Sequence, residues 1–328
     1  MAPKSRNAGK IKLISASSSE ASPKSSKKTH ERKDPRVFTY VELEELTDGF
    51  NTPIGEGKYG KVYKGTFNYR DIAVKVYDYA DKAYWENERD ALSSLDDVHI
   101  VSLIGIQCDD EEHFSLVLNY VPGNLEVVLQ EMKLEWPGVH KILLQLAMAI
   151  QEISRKDFVV GDIKPDNVLL DKEYNVFVCD FGSARKGGKN IPTVNWHYTA
   201  RELFINGNGS SASDVYSFGV ILLQMIMKIN DFGEVPTKSS VTRPERMSKR
   251  KGGSSSSRKE EKNHISVIAK YYKQIDQVVH KTIVSSGCST EDAIKLAKLG
   301  ISCTDDFENR RPSIDEVISQ LRGLKSES

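Results

Sequence analysis

Cysteine is scarce and scattered. The four residues (Cys108, Cys179, Cys288 and Cys303) form no CxxC pair and no Cys/His set at metal-ligand spacing. That excludes a disulfide framework or a zinc site and suits a reducing compartment. Long apolar runs are missing too. The best of them, "FGVILLQMIM" at 218–227, is well short of the about 20 residues that cross a bilayer and reads as a helix core. The first residues, "MAPKSRN", hold no apolar stretch of the secretory type, and Ala rather than Gly at position 2 excludes N-myristoylation. No internal repeat is visible. Net charge is absent as well, with 46 Lys+Arg against 46 Asp+Glu. The balance hides an asymmetry: residues 1–36 carry ten basic and three acidic side chains, and residues 237–264 carry nine and three. An acidic globule with two basic, Ser-rich segments is the result, and a soluble intracellular protein is expected.

A length of 328 residues allows one large domain or two ordinary ones. Residues 1–36 lack periodicity and apolar content and read as a disordered tail. Order is expected from about residue 37. There a helical stripe (Leu43, Leu46, Phe50) leads into a strand, a Gly-rich loop and further short strands: "KVYKGTF", "DIAVKVY", "VSLIGIQ" and "FSLVLNY". One helical stretch, "KAYWENERDALSSL", lies among them. After "VPGN" helical periods take over, in "LEVVLQEM", "VHKILLQLAMAIQEISRK", "ASDVYSFGVILLQMIMK", "IAKYYKQIDQVVHKTIV", "TEDAIKLAKLGISC" and "SIDEVISQLRGL". A strand-rich part joined by a short hinge to a helix-rich part is an α+β, two-lobed layout. Its expected boundaries are 37–121 and 122–325, with a low-complexity basic insert at about 235–264 in the second lobe.

Residues 54–62 read "IGEGKYGKV", a G-x-G-x-x-G-x-V between two strand-like runs. Gly55, Gly57 and Gly60 let the backbone close over phosphates where a Cβ would obstruct the approach. A plain glycine-rich hairpin is the bland alternative. A dinucleotide fingerprint would need a helix directly after the loop, and a strand follows instead. Thirteen residues after Val62, Lys75 stands in a strand beside Ala73 and Val74, which fits a phosphate ligand better than a solvated side chain.

The order Gly-loop, "AVK", a helical Glu, "DIKPDN", "DFG" and "ARE" resembles the eukaryotic protein kinase family over about residues 38–325. The flanking "FTYVELEELTDGF", "LVLNYVPGNL" and "SDVYSFGVILLQMI" resemble its plant receptor-like and Pelle-type serine/threonine branch. The resemblance implies a two-lobed kinase fold and the use of ATP and Mg²⁺. Ile54, Gly55, Gly57 and Gly60 would cover the nucleotide, and Lys75 would hold its phosphates with Glu88 as ion-pair partner. Glu86, two residues earlier, falls on another side of the helix and reads as a solvated position. Leu118 would be the gatekeeper, backbone groups near Asn119 and Val121 would meet the adenine edge, and Val62, Ala73 and Leu169 would sandwich the ring. Asp162 matches the base that accepts the substrate hydroxyl proton, and Lys164 complements the transferring phosphoryl and marks the Ser/Thr-specific version. Asn167 and Asp180 match the Mg²⁺ ligands, with Phe181 packing behind Asp180. Glu202, Arg311 and Asp214 resemble scaffold residues. A second "DFG", Asp231–Gly233, lacks the strand context and reads as a turn.

The resemblance has gaps. Val160 and Gly161 stand where the family usually carries His and Arg, which resembles the "non-RD" kinases: Thr193 or Thr199, if phosphorylated, would find no arginine partner. Asn195 replaces the Thr that usually bridges Asp162 and Lys164, and Arg201 replaces the Pro of A-P-E. An active Ser/Thr kinase is therefore the first expectation, and an ATP-binding pseudokinase acting as a scaffold or adaptor is the alternative. A protein substrate, a receptor or receptor-like kinase complex and a cytoplasmic location follow from the resemblance. The basic segments leave open nuclear import, an anionic membrane (including the plasma membrane's inner face) or nucleic acid as contacts.

Overall fold

Within the segment 70–78, "RDIAVKVYD", residues 72–77 are apolar save Lys75, a run rather than an alternation. A strand of that kind has to be covered on both faces. The structure, a computed structural model, describes residues 34–57, 59–109, 112–131, 133–192, 195, 197–227 and 279–324, and it covers this strand in that way. The first lobe runs β1 (Arg36–Phe38), α1 (Tyr40–Leu46), β2 (Pro53–Gly57), β3 (Gly60–Phe67), β4 (Arg70–Asp78), α2 (Lys82–Ser94), β5 (Leu103–Gln107) and β6 (His113–Asn119). Its six strands form one sheet in the order β1-β5-β6-β4-β3-β2. Ile72, Val74 and Val117 on one face pack with Phe38 and Leu43 under α1. Tyr77, Leu116 and Leu118 on the other face join Trp85, Ala91 and Leu92 of α2 in the main core.

Helix α1 begins at a capping box, in which the Glu42 N–H donates to Thr39 Oγ1 (3.1 Å) and the Thr39 N–H donates to Glu42 Oε2 (2.8 Å). The sequence reading did not foresee β1, a three-residue strand that pairs in parallel with β5 at Arg36↔Gly105. Three residues are too few for a period to register.

The second lobe continues with β7 (Gly123–Asn124), α3 (Leu125–Glu131), α4 (Trp136–Arg155), β8 (Phe158–Val159), β9 (Val168–Leu170), β10 (Val176–Val178), β11 (Arg185–Lys186), α5 (Arg201–Asn206), α6 (Ser211–Met227), α7 (Lys281–Ser285), α8 (Thr290–Cys303) and α9 (Ile314–Arg322). Helix α4 starts three residues before the expected Val139, because Pro137 is accommodated in its first turn. Helix α6 is buried nearly all round, as its sequence demands. The helix expected through Val284 is not continuous: His280 is extended (φ −63°, ψ 141°) and caps a new helix, α7. The rest of that expected helix, the tail before residue 34, the insert at 235–264 and Asp231–Gly233 lie outside the described residues. Among the described residues all four cysteines are free, and no helix is long and apolar enough to cross a membrane.

Candidate active site

Side chains alternate along β4, so Ala73, Lys75 and Tyr77 share the face that looks toward α2. Cross-strand register sets Lys75 opposite Val62 on one side and Leu116 on the other, and it pairs Ala73 with Leu118. The Lys75 ammonium donates to Glu88 Oε2 at 2.7 Å and to Asp180 Oδ1 at 2.9 Å. Glu88, at 0% exposure, is the α2 carboxylate that meets it, while Glu86 is half-buried. Burial would push the Lys75 ammonium down, but Asp180 and Glu88 outweigh it and raise it well above the usual lysine range. Burial likewise pushes the Asp180 carboxyl up, yet Lys75 and then Lys164 hold it below its ordinary value. Glu88 is raised by burial against the pull of Lys75. The result is a charged lysine shared by two carboxylates from opposite lobes.

The loop after β8 is tied to α6. Asp214 accepts from the Val160 N–H and the Gly161 N–H, each at 2.9 Å, and burial pushes its carboxyl up to about 6. Gly161 sits at φ +70°, and a Cβ there would fall 2.4 Å from Ile191 Cγ2. Left-handed backbone of this sort is natural for glycine and strained for most other residues. Ile191 is buried with Val159 and Leu203, so an apolar plug fills the space beside the loop. Val160 is fully buried in the same core as Phe181.

Lys164 Nζ donates to Asp162 Oδ2 at 2.8 Å, and Asn167 Nδ2 donates to the Asp162 carbonyl at 2.9 Å. Asp162 Oδ1 is buried and has no hydrogen-bond partner. Burial is the main cause that lifts the Asp162 carboxyl to about 6, opposed by Lys164. The β9–β10 hairpin then returns the chain so that the Cys179 N–H donates to the Asn167 carbonyl at 3.0 Å. That bond brings Asp180, at φ +63°, alongside Asn167.

The hinge offers less than expected at one atom. The Asn119 N–H donates to the Ser102 carbonyl (3.3 Å), and its side-chain oxygen accepts from the Ser102 N–H (2.6 Å). The Asn119 N–H is therefore already committed within the protein. Leu118 is buried, and Val62, Ala73, Val121 and Leu169 are half-buried. Ile54 at the start of the Gly-loop is 49% exposed. Gly57 pairs with Gly60 across the β2–β3 turn, while Gly55 pairs with Val62.

At Asn195 the side-chain oxygen accepts from the His197 N–H (3.1 Å), while Lys164 reaches Asp162 directly. Thr199 is buried at 7% exposure and donates its hydroxyl to the Asn195 carbonyl, so it is not presented for phosphorylation; Thr193 lies outside the described residues. Arg201 is exposed at the start of α5. Glu202 and Arg311 do form a two-bond pair (2.7 and 3.0 Å).

Sequence reasoning missed two tyrosines. Tyr59, in the Gly-loop, stacks on Tyr84 of α2 with ring centroids 3.5 Å apart. Tyr77 is fully buried and donates its hydroxyl to Glu88 Oε2. The i+2 step from Lys75 was the signal that would have put Tyr77 on the Lys75 face.

A strand-rich lobe and a helical lobe that meet at this salt-bridged cleft define the protein kinase fold. The chain belongs to that family, and the model of the protein kinase domain matches residues 50–321. Among similar proteins of Arabidopsis thaliana, a probable receptor-like protein kinase is 36% identical over 212 residues, covering 57% of this chain and 62% of that protein. The G-type lectin S-receptor-like serine/threonine-protein kinase SD2-2 is 29% identical over 88% of this chain and 37% of its own length. The probable serine/threonine-protein kinase PBL12 is 28% identical over 88% of this chain and 70% of its own length. The chain thus spans less than two thirds of the first two relatives.

Proposed function

We propose that the chain is a serine/threonine protein kinase of the non-RD kind, moving the γ-phosphoryl group of ATP to a protein hydroxyl. The observation that carries this reading is the state of Asp162. One of its carboxylate oxygens is held by Lys164, and the other is buried with no partner among the described residues. An orphaned buried acceptor of this kind needs a donor, and a seryl or threonyl hydroxyl entering the cleft supplies one. Asp162 orients that hydroxyl and takes its proton at Oδ1. Lys164 offsets the negative charge of the transferring group, and Lys75, held by Glu88, anchors the α- and β-phosphates.

The residues fit a Mg²⁺ ion. Asp180 is held ionised by Lys75, and Asn167 has its amide nitrogen engaged with Asp162, which leaves its carbonyl oxygen as the ligand atom. Among the described residues no cluster of three or more His, Cys, Asp or Glu is placed to cage a metal. A two-ligand site completed by phosphate oxygens and water is what Mg²⁺ prefers. When bound, the ion neutralises phosphate charge.

The absence of an arginine at 161 and the Ile191 plug beside it support an activation segment that is seated without a phosphate. A receptor or receptor-like kinase complex is the partner proposed with this reading. The departures at Val160, Gly161, Asn195 and Arg201 favour the second reading, an ATP-binding scaffold or adaptor without transfer. Labelling with γ-³²P-ATP and Mg²⁺ followed by phosphoamino-acid analysis separates the two. Phosphoserine or phosphothreonine lost in Asp162→Asn and Lys75→Met supports the kinase. Wild type that binds ATP yet labels no more than Asp162→Asn leaves the scaffold.

A further inference from the structure

Glu88 is buried at 0% exposure, and its Oε1 has no partner among the described residues. A carboxylate in such a place needs more than one donor to stay ionised and fixed. Lys75 supplies one contact to Oε2, but the same ammonium is shared with Asp180. The second donor is the Tyr77 hydroxyl, which also bonds Oε2. Tyr77 is itself fully buried between the sheet and α2, and the Lys75 ammonium lies 5.0 Å from the centre of its ring.

We propose that Tyr77 is a positioning residue for phosphate binding: its hydroxyl fixes the Glu88 carboxylate, and through it the Lys75 ammonium, so that α2 stays seated against β4. It touches no reacting atom and works only through the ion pair. The neighbourhood offers no replacement. Phe114, paired with Tyr77 across β6, has no polar atom, and Trp85 of α2 donates its indole N–H to the Ser115 carbonyl at 3.0 Å.

Tyr77→Phe keeps the ring, its packing and its face toward the ammonium, and removes only the hydroxyl. The kinetic part of the test rests on the kinase reading, whereas the binding part does not. Titration with a fluorescent ATP analogue and Mg²⁺ is expected to show about tenfold weaker binding by Tyr77→Phe, the size of one hydrogen bond to a charged group. The same loss is expected in kcat/KM for ATP, while KM for the protein acceptor is unchanged; a general loosening of the lobe would move both. In a Glu88→Ala background the hydroxyl has no carboxylate left to orient, and Tyr77→Phe is expected to weaken nucleotide binding no further.

Wild-type affinity and rate in Tyr77→Phe overturn the proposal and leave the kinase reading standing. A wild type that binds nucleotide but transfers nothing removes the kinase reading, and the tenfold binding loss still supports Tyr77. An equal loss in both backgrounds, or a wild type that binds no nucleotide, overturns the positioning role.

Discussion

Gly161 is the residue whose replacement would look most like a repair, since an arginine there would restore the family's usual pattern. The structure predicts damage instead. At φ +70° any side chain carries a left-handed penalty of about 1–2 kcal/mol. Its Cβ would also lie 2.4 Å from Ile191 Cγ2, a branch methyl close to the backbone rather than a flexible tip. Overpacking of a filled site costs about 1–3 kcal/mol more. Together these give a loss of about 2–5 kcal/mol, or a fall in Tm of roughly 5–15 °C for a domain of this size. Gly161→Ala isolates the two effects, and differential scanning calorimetry reads them. Ile191→Ala alone empties part of the plug with Val159 and Leu203 and destabilises by about 2–5 kcal/mol. In the double variant the steric part vanishes, so the losses should fall short of their sum by about 1–3 kcal/mol. A Gly161→Ala protein melting within about 1 °C of wild type, or strictly additive losses, would refute this reasoning.

Further predictions concern the loop and its anchors. Asp214 has a carboxyl at about 6 in the fold against an ordinary value near 4, so the folded state holds its proton more tightly than the unfolded chain. Stability from this group is therefore greatest below about pH 4 and is lost as pH rises to about 6, by about 3 kcal/mol. The stability difference between wild type and Asp214→Asn, measured by urea unfolding, should fall by about that amount between pH 4 and pH 7. Asp162 must be ionised to accept a proton, and with its carboxyl at about 6 in the free protein, kcat/KM should decline below that pH and be about tenfold down at pH 5. Arg311→Met strips Glu202 of both bonds and frees the Asp305 and Ala212 carbonyls of the same guanidinium. Breaking a buried pair in this way is expected to cost about 3–5 kcal/mol, read as a lowered Tm.

Much of the fold was legible because periodicity changes so clearly after residue 121, from short apolar strands to long helical stripes. The partner of Lys75 was legible too: Glu86 and Glu88 cannot share one helix face, and the spacing to "VSLIG" selects Glu88. What escaped depends on contacts between distant segments. Strand β1 exists only because β5 offers it an edge. The Tyr77 hydroxyl acquires its meaning from a glutamate eleven residues away on another element. The Asn195 side-chain oxygen is engaged by the His197 N–H, a contact the motif order does not show. The Ile191 plug could not be foreseen from Gly161, because nothing local says which side chain fills the space an arginine would occupy.

The central claim is a transferring kinase whose catalytic loop is assembled without a phosphorylated activation segment. It is tested most directly on protein dephosphorylated by a phosphatase that is then removed. Mixed with γ-³²P-ATP and Mg²⁺, this protein is predicted to label serine or threonine from the first turnover, without a lag and at the rate of untreated protein, and Asp162→Asn is predicted to stay blank. Labelling of wild type no greater than that of Asp162→Asn would contradict the transfer, and a lag that disappears only after autophosphorylation would contradict the phosphate-free loop.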